Sequence, residues 1–153
     1  YKQECYMNSF SIKFNNYGYS LLHLEDYLQQ LNGVCLVLVD INKDSIYVEY
    51  DKNVISLDIL KKEIFLVLDS ATILSFDKHI SSNVCKDIIV VESLCCEYCF
   101  FDMMEKLFVI NGIVSAYSDY DFCNYRNVKI FITYDSSVIG KGEIEELKRD
   151  IVK

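Results

Sequence analysis

The chain has 153 residues, 52% of them hydrophobic, and a formal net charge of −8 at pH 7. That apolar content is enough to fill a core and argues against disorder. The negative charge disfavours nucleic acid and anionic membrane surfaces as partners and favours a positively charged protein. No apolar run reaches the roughly 20 residues that a bilayer span needs. There is no signal peptide and the first residue is Tyr1 rather than Met, so the chain reads as a cytoplasmic piece of a longer polypeptide. Its seven cysteines, an odd count, fit a reducing compartment better than a disulfide framework. Cys35 falls in an apolar strand pattern, where a thiol behaves as a small hydrophobe. With Cys5, Cys85 and Cys123 it reads as structural or incidental.

The first elements are legible in chain order. Phe10-Ser11-Ile12-Lys13-Phe14 alternates as a half-buried strand. A helix follows over about 19–31, with Leu24, Leu28 and Leu31 on one face and Asn32-Gly33 as a left-handed stop. Residues 34–39 read as a strand, Asn42-Lys43-Asp44 as a turn, and 46–50 as the returning strand. A second helix over 57–68 places Leu60, Ile64 and Val67 in register, and 71–76 completes the set as a short strand. This is the β-α-β-β-α-β order of the ferredoxin-like split βαβ.

The same order starts again after a polar linker over 78–85. Asn32-Gly33-Val34 recurs as Asn111-Gly112-Ile113, and Leu24, Leu28 and Leu31 map at the same spacing onto Met103, Leu107 and Ile110. Val48-Glu49-Tyr50-Asp51 recurs as Ile132-Thr133-Tyr134-Asp135, five residues further out of step, which places an insertion in a hairpin loop. Two copies of one unit are the simplest account. The expected fold is α+β, two tandem ferredoxin-like sandwiches over 8–77 and 86–153. In the second, strands are expected at 88–93, 113–118 and 128–134 and helices at 99–110 and 141–152. Its last strand has no counterpart before Lys153, and residues 1–7 are a candidate cover for that sheet edge.

Between the strand at 88–93 and the following helix stands Cys96-Glu97-Tyr98-Cys99. Two thiols at a helix N-terminus meet orphan N–H groups and a dipole that favour thiolate. Thiolate binds soft metals or does redox chemistry. A thioredoxin-type reading wants a β-α-β-α order and a nearby cis-Pro, and this chain has no Pro.

Cys96 and Cys99, with apolar residues at Met103, Leu107 and Ile110 and then Gly112-Ile113, resemble the heavy-metal-associated domain of copper chaperones and metal-transporting P-type ATPases. The later Ile130-Phe131-Ile132-Thr133-Tyr134-Asp135 is similar to the same family's second signature. The resemblance covers nearly all of 86–153 and, without the cysteines, 9–76. It implies a soft-metal binding and transfer module, with Cu(I) held by Cys96 and Cys99 and delivered by a copper chaperone or passed to other domains of a transporter. Leu94 stands where the family usually has Met, Ser93 where it has Gly, and Cys95 where it has a small or polar residue.

Cys95 is a candidate third sulfur, which would tilt the site toward Zn²⁺ or Cd²⁺. In the first unit Tyr17 and Ser20 stand where the cysteines should be, so that unit is expected to be structural or protein-binding. The remaining alternative is a metal-free interaction scaffold on the same folds. His23 and His79 have no ligand spacing, Glu145-Glu146 read as a solvated helix face, and no nucleophile–base order or phosphate loop suggests an enzyme. Glu92, Glu97 and Asp102 around the cysteines are an expected docking surface for a basic chaperone.

Overall fold

A computed structural model describes residues 7–15, 21–68, 72–79, 83–94, 96–119 and 126–152. The fold is α+β, with seven strands and four α-helices among the described residues, and the chain divides into two compact units, Tyr1–Ile80 and Ser81–Lys153.

The first unit runs β1 (Met7–Asn15), α1 (Leu21–Gln29), β2 (Val34–Asp40), β3 (Ser45–Asp51), α2 (Leu57–Val67) and β4 (Thr72–Lys78). Its strands lie in the order β2-β3-β1-β4, every pair antiparallel. The alternation read in the sequence decides which side is core. Phe10, Ile12 and Phe14 of β1 and Ile46, Val48 and Tyr50 of β3 are buried, together with Leu24 and Leu28 of α1 and Leu60 and Ile64 of α2. Ser56 opens α2 by accepting the Ile59 N–H at 3.2 Å, an N-cap that satisfies one orphan donor. Asp40 does the same for the 3-10 turn at Ile41–Lys43, accepting from Asn42 and Lys43 N–H.

One expectation fails here. Cys35 is exposed, not a buried hydrophobe. The pairing of β2 with β3 shifts between Val34 and Leu36, so Cys35 is the extra residue of a bulge and leaves the period-2 alternation. Its Sγ lies 3.7 Å from the Gly33 carbonyl.

The second unit runs β5 (Val84–Ser93), α3 (Glu97–Val109), β6 (Ile113–Ser118), β7 (Arg126–Asp135) and α4 (Lys141–Val152). Strand order is β6-β7-β5, again antiparallel. β5 begins four residues before the expected Ile88, because Val84 to Asp87 pair with Asp135 to Ile132. β4 likewise runs on past the expected 76 to Lys78. Helix α3 buries a broader face than the three expected positions, adding Phe100, Phe101, Met104 and Phe108 to Met103 and Leu107, while Ile110 is only half-buried. Of residues 1–7, expected to cover a sheet edge, 1–6 lie outside the described residues and Met7 begins β1.

Both units turn from first helix to second strand through a glycine that cannot be replaced without strain. Gly33 has φ +101° and Gly112 φ +103°. A Cβ at Gly33 would sit 2.8 Å from Ile55 Cγ2 and 2.9 Å from Val54 Cγ1; at Gly112 it would sit 2.8 Å from Ile139 Cγ2. Each glycine carbonyl accepts an aspartate N–H at 2.7 Å, from Asp51 and Asp135 respectively. Each aspartate carbonyl in turn accepts the N–H groups of the valine and isoleucine that press on the glycine. We expect Gly33→Ala and Gly112→Ala each to lower stability by about 1–3 kcal/mol in urea unfolding, since left-handed strain and the close contact act together.

The edge strand β5 carries its own polar arrangement. Asp87 Oδ1 accepts the Ile88 N–H at 2.7 Å and the Lys148 Nζ of α4 at 2.9 Å, and Lys148 also reaches Glu145 at 3.3 Å. Burial pushes the Asp87 carboxyl up, but the hydrogen bonds from Lys148 and Ile88 and the charges of Lys148 and Lys141 together hold it below its ordinary 3.8. A carboxylate depressed by folding contributes stability that is present above its unfolded pKa and lost as pH falls through the folded one. Asp87→Asn should therefore cost about 1 kcal/mol at pH 7 in urea unfolding. The difference from the unchanged protein should shrink as the acid limb of a pH series is descended below 3.8.

Candidate metal centre

Leu94, the residue after β5, is buried, which anchors the chain before it turns into α3. Cys96 is the N-cap of α3, with extended backbone at φ −168° and ψ 174°. The Cys99 N–H donates to the Cys96 carbonyl at 3.2 Å, closing the first turn. On a helix, residues three apart are neighbours, roughly 5–6 Å between Cβ atoms. Cys99 stands three residues on from Cys96, and both are partly exposed at the helix start, neither in a disulfide. Tyr98 between them is 73% exposed, whereas Phe100 beyond them is buried at 1%. The apolar anchors at Leu94 and Phe100 hold the turn, and the thiols are left at its surface.

The Cys96 Sγ makes no capping hydrogen bond to the helix, although a side chain at that position commonly accepts one. The start of α3 thus has a thiol where a serine would serve the helix better. Cys96→Ser should raise the unfolding midpoint, by about 0.5–1 kcal/mol of stability in urea unfolding.

Glu97 lies in the first turn of α3, partly exposed, and Glu92 is exposed on β5. Asp102 is committed within the helix to Lys106 at 2.9 Å. Cys95 lies outside the described residues, as do Tyr17, Ser20, Cys5 and Cys123. Among the described residues no three His, Cys, Asp or Glu side chains converge as a metal-binding group. Cys85 is exposed on β5. His79 is bound to Ser11, Nε2 to Oγ at 3.1 Å, with its ring 5.5 Å from that of Tyr47; His23 is exposed on α1. No helix among the described residues is long and apolar enough to cross a membrane.

No protein-family model matches the chain, and no curated protein matches it. Among solved structures, it is similar to the N-terminal soluble domains of Bacillus subtilis CopA, at 13% identity over 95% of this chain and 89% of that one, with a TM-score of 0.42. It is similar to the N-terminal extension of Cupriavidus metallidurans CzcP at 13% identity, over 95% and 97% of the two chains, with a TM-score of 0.36. The putative monooxygenase FN1347 of Fusobacterium nucleatum matches at 13% identity over 94% and 84%, with a TM-score of 0.30. At these values the likenesses assign no function, which rests on the chain's own residues.

Proposed function

We propose that this chain is a soft-metal binding and transfer module whose cargo is Cu(I), held by Cys96 and Cys99. The observation that carries it is the pair of partly exposed thiols at the start of α3, Cys96 at its N-cap and Cys99 in its first turn. Two thiolates satisfy Cu(I), a soft ion that accepts low coordination, whereas structural Zn²⁺ wants four ligands. The matching apolar frame behind the cysteines, Met103 and Leu107 with the Gly112 turn, supports the resemblance to the heavy-metal-associated family.

The two units are read as two copies of one ferredoxin-like unit, over 8–77 and 86–153, with the ligands kept in the second only. Both have the glycine–aspartate turn, and the first has Tyr17 and Ser20 in place of thiols. The first unit then acts through protein contacts rather than by binding metal. Partially exposed ligands suit a relay, in which a basic copper chaperone docks near Glu92 and Glu97 and the ion passes by exchange of one thiolate for another.

Anaerobic Cu(I) titration of the reduced chain should saturate near one equivalent. Cys96→Ser with Cys99→Ser should abolish tight binding in the full chain, which also tests whether the first unit holds metal. Full binding by the double variant would overturn the proposal. Cys95→Ser should leave Cu(I) binding intact; a selective loss of Zn²⁺ or Cd²⁺ binding would move the assignment to a three-sulfur site.

A further inference from the structure

The sheet of the second unit has a groove of about 440 Å³ on the side away from its buried strand residues. Its floor is a cross-strand row, Ile88 paired with Phe131 and Phe131 with Tyr117. The two rings stack with centroids 5.0 Å apart and planes 21° from parallel. This apolar row faces solvent, with Ile88 42% and Tyr117 58% exposed. Beside it runs a second row, Lys86 opposite Thr133, which brings an ammonium and a hydroxyl to the groove. Asp87 and Ile132 also line it. The Asp87 carboxylate, however, is taken by Lys148 and the Ile88 N–H, so it does not neutralise Lys86.

The corresponding row of the first unit shows what such a place can hold. There Ser11 pairs with Tyr47 and Tyr47 with Leu38. A ring from outside the row, His79, lies against Tyr47 and bonds Ser11, and the Tyr47 hydroxyl donates to Glu49 at 2.6 Å. In the second unit the row is apolar, and Lys86 stands in the position of Ser9. The volume falls within the roughly 300–1,000 Å³ of small-molecule sites, which are mostly apolar with a few placed polar groups.

We infer that this groove is a second binding site, separate from the cysteines and independent of the metal reading, for a small planar aromatic molecule bearing a carboxylate. The ring lies on the Phe131–Tyr117 stack and against Ile88, as offset aromatic packing favours. The carboxylate pairs with Lys86, whose charge stands out on a chain of net charge −8. The Thr133 hydroxyl donates to the same group.

The test uses the full chain, ¹⁵N-labelled and titrated with 2-naphthoate, with neutral 2-naphthylmethanol as control. 2-Naphthoate should give saturable shifts centred on residues 86–88, 117 and 131–133. Lys86→Glu, an exposed change that leaves the core untouched, should weaken 2-naphthoate about tenfold and leave 2-naphthylmethanol unaffected. Tyr117→Ser should weaken both. Absent saturation, shifts centred elsewhere, or unchanged 2-naphthoate affinity in either variant would overturn the inference. A dispersed spectrum for each variant separates lost binding from lost fold, and Cu(I) binding by both variants separates this site from the cysteines.

Discussion

A left-handed glycine locked by an aspartate backbone sets the geometry of each unit. The Gly33 and Gly112 carbonyls receive the Asp51 and Asp135 N–H groups at 2.7 Å, joining the end of the first helix to the end of the third strand. The following Val54-Ile55 and Val138-Ile139 fold back against the glycine Cα, so no side chain can be accommodated there. This one close approach fixes where the first helix stops and where the second strand begins, with the connection to the second helix held against the same point. Asp135 is buried at 5%, and its carboxylate is occupied by the Ser137 N–H and hydroxyl, which shows how far the turn is sequestered from water.

The candidate metal centre sits at the opposite end of the first helix from that lock. Leu94 and Phe100 bury the chain on either side of the turn, so the helix start is held by packing and does not need its N-cap side chain. The core on α3 offsets the missing cap bond at Cys96.

The two faces and the edge of the second unit's strands differ in character. The helix side is closed by Ile89, Val91, Ile130 and Ile132. The edge along β5 is interrupted by Asp87, which takes the outward Ile88 N–H and is itself pinned by Lys148; an edge strand whose amide is already bonded is a poor template for another strand. The remaining face keeps an aromatic row in water beside a lysine, an arrangement that the polar row of the first unit does not share.

The sequence by itself determined the elements, because their signals are local. Alternation at Phe10-Ser11-Ile12-Lys13-Phe14, the spacing of Leu24 and Leu28 and of Leu60 and Ile64, and the Asn-Gly stops all report what a residue and its near neighbours prefer. The position of Cys96 and Cys99 at a helix start was legible for the same reason, since strand and helix patterns flank them directly. What needed partners far along the chain was left to the tertiary structure. The start of β5 at Val84 depends on pairing with Asp135, across more than a helix and two strands. The exposure of Cys35 depends on a bulge that only the register with β3 creates, and the extra buried positions of α3 depend on how wide a surface the sheet offers it. The groove exists only because Ile88, Phe131 and Tyr117 are brought into one row from three strands. Cross-strand register is a non-local quantity, set by the summed packing of whole strands, and no window along the chain contains it.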